Sequence, residues 1–159
     1  MKNVIAFLLF VAPVALFAQA GNGKSFSQSV RLSTNVEQAW NNLIDFKMFK
    51  EWDSGIVDVR CQEELSENLV CQAIAADGKV FEVEITEWVP GQSYTLRTKL
   101  SSGNLYIKRS LEGKEVATLN ETVWFKGISR KTFEKYKGSN YDQTIVERIN
   151  AFKGYMAAK

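Results

Sequence analysis

The sequence predicts an α+β fold: a strongly curved antiparallel sheet of seven strands, with two short helices after the first strand and a long helix at the C-terminal end. Three observations predict it. Residues 26–33 alternate with period two and run straight into a capped helical stretch. Period two then returns through six segments separated by turn signals, and a helical period takes over from Ser129 onward. Connected hairpins make a meander, and the terminal amphipathic helix needs a large apolar surface to cover. The concave side of the bent sheet supplies one.

Ahead of this domain, residues 1–20 (MKNVIAFLLFVAPVALFAQA) carry Lys2, an apolar run over residues 4–17 broken only by Pro13, and an Ala18-Gln19-Ala20 ending. That is the pattern of a secretory signal peptide with a small-residue cleavage site. The apolar run is shorter than the ~20 residues a spanning helix needs. No stable membrane span is therefore expected after cleavage. Residues 21–159 have the length of a single domain. Lys and Arg total 20 against 18 Asp and Glu, and the charges are scattered rather than gathered in a basic stripe, which argues against nucleic acid as a partner.

The first strand ends at Thr34-Asn35-Val36-Glu37, a capping-box pattern in which the Thr34 hydroxyl and Glu37 carboxylate would satisfy amides at a helix start. Val36, Ala39, Trp40 and Leu43 follow at helical spacing, with Trp40 expected in the core. Residues 45–51 read as a second short helix whose Phe46 and Phe49, with Trp52 just beyond, pack against the sheet. Two short helices in this position can plug one end of a curved sheet. The remaining strands are expected at residues 55–62, 69–75, 79–88, 93–100, 103–111 and 115–126, with Asp77-Gly78, Pro90-Gly91 and Glu112-Gly113-Lys114 among the turns. In the C-terminal helix Ile145, Ile149, Phe152 and Met156 form one stripe, with Asp142, Glu147, Arg148 and Lys153 elsewhere on its surface. Gly138-Ser139-Asn140 is expected to kink or break it.

Turn geometry predicts which side chains face inward. With Ala76-Asp77-Gly78 as a three-residue loop, Ala73 stands opposite Phe81 and Cys71 opposite Val83; a two-residue turn would pair Ile74 with Phe81. The first register is preferred because it makes one continuous apolar face of Val57, Val59, Phe81, Val83 and Ile85. Continued through the next hairpins it adds Tyr94, Leu96, Thr98, Leu105, Ile107, Ala117, Leu119, Val123 and Phe125. These residues, closed over by Ile145, Ile149 and Phe152, are the expected cavity lining. Arg109 and Glu121 fall on the same inward register. Because burying either alone is costly, they should pair, reach the open mouth or rim, or hold a polar ligand group.

The chain has no histidine, which removes the commonest general base and zinc ligand. Two cysteines without a second pair cannot make a four-thiolate site. No phosphate loop, dinucleotide fingerprint or calcium loop is present, so neither metal nor cofactor is expected. Cys61 and Cys71 flank Ser66 symmetrically on neighbouring antiparallel segments of an exported chain, which predicts a Cys61–Cys71 disulfide; two buried thiols are the alternative.

The opening VRLSTNVEQAWNNLIDFKMFKEWDSGIVDV, with Trp40, Asp45 and Trp52, resembles the SRPBCC superfamily, also called START-like or Bet v 1-like, and within it the polyketide cyclase/dehydrase and lipid transport group. VFEVEITEWVPGQSYTLR resembles the family's central hairpin, and VATLNETVWFKG its last strand. The resemblance implies a helix-grip fold with a deep, mostly apolar cavity between sheet and C-terminal helix. Its members include lipid carriers, hormone receptors and aromatic cyclases, and fold alone does not choose among them. Most are cytosolic, so the leader is a departure.

The expected function is that of a periplasmic or secreted protein binding a small hydrophobic molecule or lipid. One alternative is a cyclase or dehydratase using Glu121, Arg109 or Tyr94. Another is an interaction protein whose cavity is filled by its own side chains. The sequence does not fix the oligomeric state.

Overall fold

The computed structural model describes residues 25–159; the leader expected over residues 1–20 lies outside the described residues. Seven strands form one antiparallel sheet: β1 (Ser25–Arg31), β2 (Ile56–Arg60), β3 (Val70–Ala75), β4 (Val80–Val89), β5 (Ser93–Leu100), β6 (Gly103–Glu112) and β7 (Thr118–Lys126). Their spatial order is β1-β7-β6-β5-β4-β3-β2. Only the step from β1 to β2 leaves the meander. These two strands lie at opposite edges, so the chain between them must cross the full width of the sheet. It crosses as α1 (Val36–Leu43) and a 3-10 helix (Phe46–Glu51), which close one end of the curved sheet.

The helix begins one residue later than the capping-box pattern predicts. Asn35 is the N-cap, its side-chain oxygen accepting from Gln38 N at 2.8 Å, while the Thr34 hydroxyl donates to the Gln38 side chain. Asn is as good a cap as Thr, and Gln38 fills the third helical position as well as Glu37 would. Ala39, Trp40 and Leu43 face the core.

The hairpin registers follow the turns. Gly78, at φ 81°, closes the three-residue loop, with Ala75 N donating to Lys79 O at 2.8 Å; Ala73 pairs with Phe81 and Cys71 with Val83. Leu96 pairs with Ile107, Thr98 with Leu105, and Arg109 with Glu121. Two bulges interrupt the alternation. At Val57 the register slips between Ile56 and Asp58, so Ile56 and Val59 point inward and Val57 is 50% exposed. The expected inward place of Val57 is thus corrected. A bulge inserts one residue and reverses the facing beyond it. A second slip between Ile85 and Glu87 brings Trp88 opposite Tyr94, against Trp40.

The disulfide forms between Cys61 and Cys71, bridging the end of β2 to β3. After β7, α2 (Arg130–Lys137) starts at Ser129, whose hydroxyl accepts from Thr132 N at 3.1 Å. Gly138, at φ 88°, ends it, and α3 (Tyr141–Ala157) lays Tyr141, Ile145, Ile149, Phe152 and Met156 onto the concave face. No helix among the described residues is long and apolar enough to cross a membrane.

Gly103 is held by a close approach of backbones: a Cβ there would lie 2.3 Å from Lys126 O, whereas a Cβ at Gly154 in α3 meets nothing within 4 Å. Gly103→Ala is expected to destabilise by about 1–3 kcal/mol through forced backbone movement. Gly154→Ala should stabilise by about 1 kcal/mol through helix propensity. Urea denaturation of both variants checks the contrast.

Candidate functional site

Two aromatic clusters hold the concave side apart. At the α1 end, Trp40, Trp88, Tyr94 and Phe46 pack together, with Phe49, Trp52 and Phe152 continuing toward α3. At the α2 end, Phe26, Phe125, Phe133 and Tyr141 do the same. Between them lies a cavity of about 180 Å³. Its walls are Phe46 and Phe49 from the 3-10 helix and Val59, Ala73, Phe81, Val83, Leu96, Leu105 and Ile107 from the sheet. Ala73 and Ala75 leave room where larger residues would fill it. Asp53, Arg109, Lys137, Tyr141 and Arg148 make its polar side.

Asp53, Arg109 and Arg148 belong to a buried charge network centred on Glu121, which is 0% exposed; Tyr141 is buried beside it, and Lys137 is exposed. Arg109, 1% exposed, faces Glu121 directly across β6 and β7. Its Nε donates to Glu121 Oε2 at 2.7 Å, one Nη to the Tyr94 hydroxyl at 3.1 Å, and the other to Asp53 Oδ2 at 3.4 Å. Its guanidinium carbon also sits 4.7 Å from the Trp52 ring centroid and 5.1 Å from that of Phe49. Stacking on aromatic faces suits a weakly hydrated planar cation. From the helix layer, Arg148 Nε donates to both Glu121 oxygens at 3.0 and 3.2 Å, and its Nη2 to Oε1. The Tyr94 hydroxyl donates to Leu43 O at 3.3 Å, tying the network to α1.

The electrostatics follow from this packing. Burial would raise the Glu121 carboxyl, but Arg109 and Arg148 outweigh it and hold it below the usual carboxylate range. Burial pushes the Tyr94 hydroxyl up, against the pull of Arg109. Burial opposes charge on both arginines, and their anionic neighbours more than restore it. Glu121 is therefore an anion at neutral pH, an acceptor that has no proton to give. Among the described residues no group of three or more His, Cys, Asp or Glu is placed to hold a metal ion.

Of the residues expected to line the cavity, Val59, Phe81, Val83, Leu96, Thr98, Leu105, Ile107 and Arg109 do so geometrically. Ile85, Tyr94, Leu119, Glu121, Val123, Phe125, Ile145, Ile149 and Phe152 are buried in the packed core around it, outside the lining. The rim position considered for Arg109 and Glu121 is corrected: they pair deep inside the structure. Arg148, expected on the outer surface of α3, is only 11% exposed and points into the network. Its place was readable, since it lies three residues after Ile145 and four before Phe152, on the buried stripe. Asp53, Ile56, Ala73, Ala75, Leu100, Lys137 and Tyr141 also line the cavity and were not anticipated. Phe46 and Phe49, read only as packing, do both.

No family model matches the sequence, and no curated protein matches it. Solved structures do. A START superfamily protein from Mycobacterium smegmatis superposes with a TM-score of 0.65 at 12% identity, over 85% of this chain and 98% of that one. The Zhui aromatase/cyclase from Streptomyces sp. R1128 gives 0.66 at 14% identity, over 84% and 93%. DynU16, encoded in the dynemicin biosynthetic locus, gives 0.67 at 13% identity over 84% of this chain; the chain spans about half the length of that protein, 47%. The protein has the SRPBCC-type helix-grip fold, START-like and Bet v 1-like. At these identities the likeness defines architecture alone.

A carboxyl whose pKa is depressed on folding contributes stability above its unfolded value, and that contribution is lost as pH falls through the folded value. Glu121 is such a group. Acidification below the ordinary carboxylate value of about 4.3 is therefore expected to lower stability progressively. Glu121→Gln should cost about 3–5 kcal/mol at neutral pH by leaving two arginines buried without their anion. It should also flatten the acid limb, as urea midpoints across a pH series would show.

Proposed function

We propose that this protein is an exported binder of a small hydrophobic molecule or lipid held between the sheet and the C-terminal helices. The observation that carries the reading is the cavity itself: an apolar space of about 180 Å³ between two aromatic clusters, bordered on one side by charged groups. Removing apolar ligand surface from water there would supply about 25 cal/mol per Å². The polar side would orient the guest. The leader pattern of residues 1–20 and the Cys61–Cys71 disulfide support export, because disulfides persist in oxidising compartments.

The aromatase/cyclase among the structural neighbours keeps catalysis in view, yet of Glu121, Arg109 and Tyr94 only Arg109, a cation held by Glu121 and Asp53, reaches the cavity. Glu121 and Tyr94 lie outside the cavity lining, and both have their hydrogen-bonding positions engaged inside the network. A general acid or base must reach its substrate. The filled-cavity alternative is disfavoured by the open space beneath the helices.

Native mass spectrometry of protein gently purified from its host is expected to show a bound small-molecule adduct. The neutral dye N-phenyl-1-naphthylamine should bind the emptied protein with enhanced fluorescence. Ala75→Phe, which places a ring in the cavity, should weaken the dye at least tenfold, about 1.4 kcal/mol. Undiminished dye binding by this variant would place the ligand elsewhere.

A further inference from the structure

Charges that lie scattered along the sequence are sorted by the fold. Lys2 and Lys24 precede the described residues, so 18 of the 20 Lys and Arg stand against 18 Asp and Glu, and the described domain is neutral. The two ends of the sheet divide these charges unequally. Where β7 passes into α2, residues 126–137 carry Lys126, Arg130, Lys131, Lys135 and Lys137 against Glu134 alone. The β5–β6 hairpin adds Lys99 at the same end, and in the β3–β4 turn Lys79 is balanced by Asp77, which leaves five positive charges in excess. The flanking acids on β4 and α3, Glu82, Asp142 and Glu147, lower that excess to two without reversing it. At the opposite end Glu63, Glu64, Glu67, Glu112 and Glu115 stand against Arg60 and Lys114, and Arg31 is matched by Glu37.

The basic end is also the end at which the cavity adjoins a surface cleft of about 440 Å³, with which it shares Ala75, Phe81, Thr98 and Leu100. Asp77, Lys79, Lys99 and Lys137 stand on the rim of that cleft, and the buried Ile128 and Phe133 lie inside it. All seven cations of this end are exposed, and Val80, next to Lys79, is 62% exposed. Cations spread over three chain segments on long, exposed stems match an extended layer of negative charge better than one bound anion. A bilayer offers hydrocarbon directly behind such a layer. The exposed Val80 and the apolar interior of the cleft therefore favour a membrane over a nucleic acid or an acidic protein.

We propose that the α2 end of this protein docks on a bilayer containing anionic phospholipid, with Lys99, Lys126 and the cations of α2 toward the headgroups and the cleft beneath α2 against the membrane. The inference goes beyond the binding reading above: it assigns a surface and a partner, and docking needs no guest in the cavity. Attraction of this kind is screened by salt, the screening length falling from about 10 Å at about 0.1 M to about 3 Å at about 1 M.

The test is co-sedimentation with vesicles of phosphatidylcholine alone and of phosphatidylcholine mixed with phosphatidylglycerol, at neutral pH. At about 0.1 M salt the mixed vesicles are expected to bind the protein at least about tenfold more tightly than phosphatidylcholine alone, and about 1 M salt should remove that advantage. Lys99→Glu combined with Lys131→Glu should weaken binding to the mixed vesicles at least about tenfold. Lys114→Glu combined with Lys153→Glu changes the net charge equally at exposed positions away from this end, and should weaken it less than about threefold. Matching far-ultraviolet circular dichroism and urea midpoints of the two double variants show that both are folded. Equal binding to the two kinds of vesicle, or equal loss in the two folded double variants, would overturn the proposal. Binding to the polyanion heparin with none to the mixed vesicles would give the surface to a partner other than lipid and overturn it too. Dye binding in the cavity is measured separately, so failure here leaves the binding reading standing.

Discussion

A carboxylate buried in the middle of a sheet has to be neutralised by groups that are themselves buried, and Glu121 is neutralised from both layers at once. Arg109 reaches it from the neighbouring strand, and Arg148 from the helix packed above. Such an arrangement adds little net stability relative to an apolar core, because desolvation offsets most of the Coulombic gain. Its effect is on alternatives. Any rotation of α3 that withdraws Arg148 leaves Glu121 with one counter-charge for two oxygens, and any slip of β6 against β7 separates Arg109 from it. One ionic centre thus fixes the helix to the sheet in a single orientation.

The same centre determines where space remains. Arg109 is wedged between Glu121, Tyr94 and Asp53, with the rings of Phe49 and Trp52 against its plane, so the 3-10 helix is tied to the network as well. Beyond it the core is filled by aromatic side chains at both ends, and the middle, above Ala73 and Ala75, stays open. The outer face of the sheet is wet, with Glu87 paired to Lys108, Glu84 to Arg97, and Ser29 bonded to Asn120. A polar outside and an apolar inside are what alternation along each strand dictates. The sheet therefore has one face available for a guest.

Much of this was legible in the residues. Period and turn chemistry located every strand, Gly78 fixed the β3–β4 register, and Gly138 marked the break before α3. The cross-strand partnership of Arg109 with Glu121 followed from register alone. What escaped was whatever depends on a one-residue irregularity or on a contact between layers. The bulge at Val57 has no distinctive residue to announce it, so strict alternation carried Val57 inward. Asp53, Lys137 and Tyr141 sit on connecting or terminal segments whose direction is set by tertiary packing, which local periodicity does not encode. Arg148 is a different case: its helical position placed it on the buried stripe, and its charge alone argued for the surface.

The claim on which the account turns is that Glu121 and Arg148 act as one unit joining sheet and helix. A double-mutant cycle with Glu121→Gln and Arg148→Met, read by urea denaturation at neutral pH, measures this directly. The account predicts a coupling energy of at least about 1 kcal/mol, within the range for paired charges in contact. Additivity of the two substitutions to within about 0.3–0.5 kcal/mol would contradict it.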